Sequence, residues 1–297
     1  MKGVDKELYP FESHFETIGG HQYHYVEQGS GEPVVMLHGN PTWSFYYRDL
    51  IQKLSPHFYC VAPDHIGCGY SDKPDDEAYS YTLEHRVNDL EAFLEKKGMI
   101  QKIHLVLHDW GGIIGMAYAH RHPASIKKIV LMNTAAFHLP PSKHFPPALR
   151  FFRTWPGAFM VRAFNAFSSL ATIEGVKRIK LSKAIRNGLT APYNSWKNRI
   201  ATLRFMQDIP LKPNDQGYGI VTEVQENLSQ FRSTPTLIAW GMKDRVFDRH
   251  FLETWMSYLP EAQVYRFEDS GHYILEDQQE AIGKLVFDFF KESHETL

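Results

Sequence analysis

A chain of 297 residues is about twice the length of a common domain, long enough for two domains or for one large α/β unit carrying an insertion. Hydrophobic residues at 43% and charged residues at 22% match ordinary globular usage and exclude collagen-like, disordered and low-complexity chains. Lys and Arg total 32 against 34 Asp and Glu and read as dispersed, which leaves no electrostatic footprint for nucleic acid.

Cys60 and Cys68 are the only cysteines, too few for a disulfide framework and without His or Cys neighbours at zinc-ligand spacing. This usage predicts a reduced, cytoplasmic protein with no metal. Between Met1 and Pro10, Asp5, Lys6 and Glu7 stand where a secretory segment needs an apolar run. No window reaches the apolar length of a membrane span.

An apolar run at Val34 to Leu37 ends abruptly in His38-Gly39-Asn40-Pro41, and an amphipathic stretch follows to about Leu54: strand, turn, helix. A second unit has a short strand at Phe58 to Ala62, a turn-rich segment from Pro63 to Pro74, and a helix predicted over Thr82 to Lys97. Ile103 to Leu107 reads as a strand, Gly111 to His120 as a helix, and Ile129 to Met132 as a strand. After Asn133 the rhythm breaks, and residues 136–213 are rich in aromatics, Pro and helical patterns without a buried strand. It resumes with a strand at Thr236 to Trp240, a helix around Phe251 to Tyr258, a strand at Gln263 to Phe267 and a closing helix from about Glu276 to Glu292. Strands alternating with helices predict a mostly parallel sheet flanked by helices. The predicted organisation is a core of residues 1–135 and 214–297 with a helical cap at 136–213.

The chemistry concentrates at strand ends. In Leu105-Val106-Leu107-His108-Asp109-Trp110-Gly111-Gly112, a polar residue sits at a tight strand-to-helix turn followed by glycines, the setting of a nucleophile elbow. Leu107 stands where the usual elbow has Gly, and Asp109 where it has Ser. Alternatively, Asp109 only caps the following helix. Ser270-Gly271-His272-Tyr273 follows the last predicted strand, and Trp240-Gly241-Met242-Lys243-Asp244 follows the one before it, so His272 and Asp244 reach the same sheet edge. Taken singly, His272 is one of 16 histidines and Asp244 a turn residue. Nucleophile, acid and His in that chain order form a triad.

With His38-Gly39-Asn40-Pro41, His108-Asp109-Trp110-Gly111-Gly112, Asp244 and Gly271-His272, the chain resembles the haloalkane dehalogenase family of α/β-hydrolases along nearly its whole length. The resemblance implies an α/β-hydrolase fold with a helical cap, an Asp109 nucleophile, a His272 base, an Asp244 acid and no cofactor. It also implies two donors for the leaving anion, the Asn40 amide and the Trp110 indole. One subfamily carries its acid where Asn133 stands; an amide cannot serve, so Asp244 is favoured. The segments Ala191 to Trp196, Arg204 to Pro210, Asp244 to Asp248 and Gly271 to Asp277 are similar to the third subfamily. That subfamily in turn is similar to the β-lactone decarboxylases of bacterial long-chain olefin biosynthesis. The partners implied are an apolar small molecule and either a second copy or other enzymes of an olefin pathway.

A carboxylate nucleophile suits displacement at a saturated carbon through an alkyl ester, with either halide or carboxylate as leaving group. Cap residues Phe137, Leu139, Phe145, Phe151, Phe152, Trp155, Phe159, Phe164 and Phe167 supply apolar surface for an alkyl substrate, or serve only as helical core. Phe137, Phe164, Tyr193 and Tyr273 are the candidate pocket residues. The two tyrosines keep epoxide opening in view, and an idle ligand-binding member is a reading from another class.

Overall fold

The structure is a computed structural model that describes residues 3–292. Residues 1–2 and 293–297, at the outer ends of the predicted core, lie outside the described residues. Eight strands form one sheet: β1 (His14–Ile18), β2 (His21–Gln28), β3 (Glu32–Leu37), β4 (Phe58–Pro63), β5 (Ile103–Asp109), β6 (Ile126–Thr134), β7 (Thr236–Gly241) and β8 (Gln263–Phe267). Their order across the sheet is β1-β2-β4-β3-β5-β6-β7-β8. From β4 to β8 neighbouring strands run parallel, and β2 joins both β1 and β4 antiparallel.

The central parallel strands are apolar on both faces because helices cover both, whereas the edge strand β8 is half-exposed. Val35, Leu37, Leu105, Leu107 and Leu131 belong to one core cluster, and Val34, Met36, Val106, Val130 and Met132 to the other. Every residue of β5 is buried. The chain leaves β3 toward β4 on one side and then crosses to β5 on the other, so the carboxyl ends of β3 and β5 flank the crevice where ligands bind in such sheets. Leu37 pairs with Leu107 in register, which brings the His38-Gly39-Asn40 turn beside Asp109.

The β1–β2 hairpin is absent from the predicted elements. Its turn is Gly19-Gly20, both at positive φ (56° and 85°), a two-residue hairpin signal. The strand itself, His21-Gln-Tyr-His-Tyr-Val-Glu-Gln, looks too polar for a core strand, yet His24 is fully buried against Asp64 at 2.7 Å. The closing helix is two pieces, Ile274–Asp277 and Gln279–Lys291. The amphipathic stretch after Pro41 divides into a 3-10 turn, Ser44–Tyr47, and a helix, Arg48–Leu54.

Between β6 and β7 the chain forms the inserted helical cap. Its helices include Pro147–Phe152, Trp155–Phe164, Ala166–Glu174, Lys183–Thr190 and Ile200–Gln207. Leu149, Phe152, Val161, Leu203 and Met206 give it a small core of its own. The cap is tied down over the sheet edge by polar bonds. Trp43 Nε1 donates to Gly188 O at 3.0 Å, and Asp277 accepts from the backbone N–H groups of Lys177 and Arg178. Helix Tyr218–Asn227 lies outside the cap and places Val221 and Val224 in the main core.

Candidate active site

Asp109 is the last residue of β5 and precedes helix Trp110–Arg121. Its backbone sits at φ 51°, ψ −125°, a sparsely populated conformation for a residue with a side chain and one that turns the carboxylate out of the sheet. The helix-capping alternative fails, because the Asp109 side chain makes no capping hydrogen bond. Its Oδ1 instead accepts from the backbone N–H of Asn40 at 2.6 Å. Leu107, unusual at an elbow, is accommodated by Gly115 one turn into the helix, where a Cβ would lie 2.4 Å from Leu107 Cδ2.

His272 Nε2 lies 3.5 Å from Asp109 Oδ2, and Nδ1 lies 2.7 Å from Asp244 Oδ2. Three residues far apart in sequence therefore meet in one line. Asp244 is held in turn. Val246 N–H donates to its Oδ1 at 2.7 Å, and Asn133 Nδ2 donates to its Oδ2 at 3.0 Å. Asn133 reaches this place through a bulge. His108 pairs with Met132 and Asp109 with Thr134, which leaves Asn133 between them at φ 37°. Its amide also brackets Gly241, accepting from that N–H at 2.8 Å and donating to that carbonyl at 3.0 Å.

Burial alone would push the His272 imidazole down; the charges of Asp244 and Asp109 and their hydrogen bonds outweigh it and raise it to about 10. Burial works to raise the Asp109 carboxyl, but His272 and the Asn40 N–H hold it below the usual carboxylate range. The two flanking carboxylates favour the imidazolium form of His272. His108 behaves oppositely: burial and the neighbouring His272 charge push it down to about 3. It stays neutral, and its Nε2 donates to the backbone carbonyl of His272 at 2.9 Å, which ties the His272 loop to β5.

Above Asp109 is a cavity of about 540 Å³ whose walls are mainly apolar, with Asn40, Asp109, Trp110, Asp244 and His272 among its lining residues. Asn40 Nδ2 donates one N–H to the cap carbonyl of Thr202 at 3.0 Å, which orients the amide and leaves its second N–H unclaimed by that bond. The Trp110 ring is wedged against Phe205 of the cap, centroids 5.2 Å apart, with the Arg86 guanidinium 5.7 Å away.

The family described as alpha/beta hydrolase fold matches residues 32–279. The chain is 54% identical to a cis-3-alkyl-4-alkyloxetan-2-one decarboxylase of Shewanella oneidensis, over 98% of this chain and 91% of the relative. It is 47% identical to the protein of the same name from Xanthomonas campestris, over 87% and 88%. The crystal structure of the haloalkane dehalogenase DbeA from Bradyrhizobium elkani superposes with a TM-score of 0.83 at 27% identity, covering 94% of this chain and 97% of that one. The chain is an α/β-hydrolase of the haloalkane dehalogenase family.

Within this dehalogenase-family enzyme the predicted pocket residues divide. Phe137 lines the cavity, as do Leu139, Phe145, Phe152 and Phe167. Phe164 does not: it is 69% exposed on the outside of the cap, because helix Trp155–Phe164 turns only its Gly157 and Val161 side fully inward. Tyr193 is buried in the cap–core seam, donating to Thr42 O at 3.0 Å. Tyr273 packs under Gly175 and beside Tyr46, 5.6 Å between ring centroids. Neither tyrosine lines the cavity, so the support they lent to epoxide opening is gone. Sequence reasoning missed Phe247, whose ring stacks on His272 at 5.7 Å, and the two props His108 and Asn133. His108 had a signal, adjacency to Asp109; Phe247 had none.

The electrostatics of this enzyme can be titrated directly. In histidine-labelled protein, the His272 ring nitrogens should stay protonated until about pH 10. Because the folded value lies above the unfolded value of about 6.5, the stabilisation from this charge is full below that pH. It is lost as pH rises through the folded value. Asp109→Asn should move the His272 titration downward, and nitrogen shifts that stay unchanged in that variant would remove Asp109 as a charge partner.

Proposed function

We propose that the enzyme converts cis-3,4-dialkyl β-lactones into alkenes and carbon dioxide, with Asp109 as nucleophile. The observation that carries this reading over halide hydrolysis is the 54% identity to an oxetanone decarboxylase across 98% of the chain, cap included. An Asp109 oxygen would bond to the ring carbon that bears the lactone oxygen. The carbon–oxygen bond of the ring breaks with inversion, leaving an alkyl ester of Asp109 and a free carboxylate two carbons away. Asn40 and Trp110 would donate to that carboxylate as its charge develops, where preorganised donors in a dry site are most effective. The carbon–carboxylate bond then supplies the electrons of the new double bond, carbon dioxide leaves, and the ester oxygen departs with its electrons to restore Asp109. No water is consumed.

The stereochemistry follows from this sequence of bonds. Inversion places the Asp109 ester antiperiplanar to the carboxylate, so anti elimination from a cis lactone yields a cis alkene. Asp244 and Asn133 would keep His272 oriented and charged beside Asp109.

The second reading is hydrolysis of alkyl halides, favoured by the superposition on DbeA and by the presence of Asn40 and Trp110, both carrying N–H groups, in the lining of the same cavity as Asp109. Here esterification would cancel the Asp109 charge, weaken the hold on the His272 proton and free that ring to act as a base toward water.

Turnover in water enriched with heavy oxygen separates the two. A cis β-lactone should give a cis alkene and carbon dioxide, with no label in the Asp109 peptide. A labelled Asp109 with hydroxy acid as product and no alkene would overturn the proposal.

A further inference from the structure

The near-neutral total charge conceals a division. Residues 136–213 hold 13 Lys and Arg against only Glu174 and Asp208, while the rest of the chain holds 19 Lys and Arg against 32 Asp and Glu. The charges are therefore not dispersed, as the composition suggested: the cap is strongly basic and the body acidic. Several cap cations pair with the body, Lys143 with Asp248, Arg178 with Asp269 and Arg204 with Asp76. Arg150, Lys180, Lys183, Arg186 and Lys197 are exposed and form no ion pair among the described residues.

The same segment carries the exposed apolar surface. Among the described residues, all the exposed large hydrophobic side chains except Phe15, Ile100 and Tyr265 lie in 136–213. Trp155 is 81% and Phe164 69% exposed. Phe159 joins them, with ring centroids 6.2 Å from Trp155, 6.0 Å from Phe164 and 5.9 Å from Trp196. Arg162 holds this platform together, donating Nε to Trp196 O at 2.8 Å with its guanidinium over the indole at 4.9 Å. The next helix continues the apolar surface with Ile173 and Leu170, and Leu170 also lines the cavity over Asp109.

Exposed indole and phenyl rings set among unpaired Lys and Arg are the combination that seats a protein at the headgroup–acyl boundary of an anionic bilayer. Two features select a lipid surface over a protein partner. The cap charge is almost wholly of one sign, and the apolar surface runs into the wall of a cavity suited to an apolar substrate. We infer that the cap docks peripherally on anionic phospholipid, with Trp155, Phe159, Phe164 and Trp196 at the acyl boundary and the neighbouring cations on lipid phosphates. This docking does not depend on which leaving group Asp109 displaces.

The test is flotation of the full chain with phosphatidylcholine vesicles that contain or lack phosphatidylglycerol. The protein should float with the anionic vesicles, bind neutral ones at least about tenfold less, and release as salt shortens the screening length. Trp155→Ser with Phe164→Ser should abolish flotation. Lys183→Glu with Lys197→Glu should weaken it by roughly tenfold or more. All four positions are exposed, so both variants should keep wild-type circular dichroism and wild-type turnover of a short, water-dissolved substrate. Failure of the wild type to float with anionic vesicles would overturn the inference, as would flotation unchanged in both variants. Concentration-dependent self-association lost in the same variants, without vesicle binding, would overturn it in favour of a second copy whose acidic body meets the cap.

Discussion

Asp109→Asn should reduce alkene formation by roughly 10⁴ to 10⁶, the range seen when a covalent nucleophile is removed. The amide keeps the shape of the side chain and tolerates positive φ, so the strained turn at 51° survives the exchange. It also keeps an oxygen for the Asn40 N–H, but it has no charge to attack a saturated carbon. The carboxylate does not cap helix Trp110–Arg121 and no helical hydrogen bond depends on it, so the stability it takes with it is only its share of the His272 charge pairing. Product formation and thermal unfolding measured on one preparation decide the matter. More than a few per cent of wild-type turnover in a folded variant would return Asp109 to a structural role.

Asp244→Asn should lower turnover by about 10³ to 10⁴, by analogy with loss of the orienting carboxylate in serine protease triads. The new amide would face two groups at once. Asn133 Nδ2 now donates to Oδ2 and His272 Nδ1 lies 2.7 Å from the same oxygen. An amide nitrogen there repels the Asn133 donor and favours the wrong imidazole tautomer, while an amide oxygen there lacks the charge that holds His272 protonated. The rival carboxylates serve elsewhere. Asp248 caps helix Arg249–Tyr258 and pairs with Lys143, and Asp208 pairs with Arg86 at 3.1 Å. Asp248→Asn and Asp208→Asn should therefore leave kcat within a few-fold of wild type. A larger loss at either than at Asp244 would reassign the acid.

The elements most legible in the sequence were those whose signal is local. β3 through β7 stand out as short apolar runs closed by turn residues, because a parallel strand buried on both faces must be apolar in its buried stretch. Asp109, Asp244 and His272 were legible as strand-end residues in a recognisable chain order. β2 was not, because its buried His24 satisfies itself on Asp64, a partner 40 residues away that no local pattern announces. The pocket-lining side chains resisted reading for a related reason. Phe137 and Phe164 both fall in the predicted cap, and only tertiary packing, Phe137 against Trp255 of the core, decides that one faces the cavity and the other solvent.

Sequence by itself determined the fold class, the family resemblance and the three strand-end groups, since strand periodicity, turn chemistry and motif spacing are properties of the chain. Tertiary structure alone decided how those groups act on one another. It put His272 between two carboxylates, and mutual charge there outweighs burial. It turned Asn133, set aside in the sequence as an amide unable to serve as the acid, into the donor that holds the acid, through a bulge visible only once β5 and β6 pair. It moved Tyr193 and Tyr273 away from the cavity. Contacts between residues more than a hundred positions apart depend on which faces meet when the sheet closes, and no local pattern carries that information.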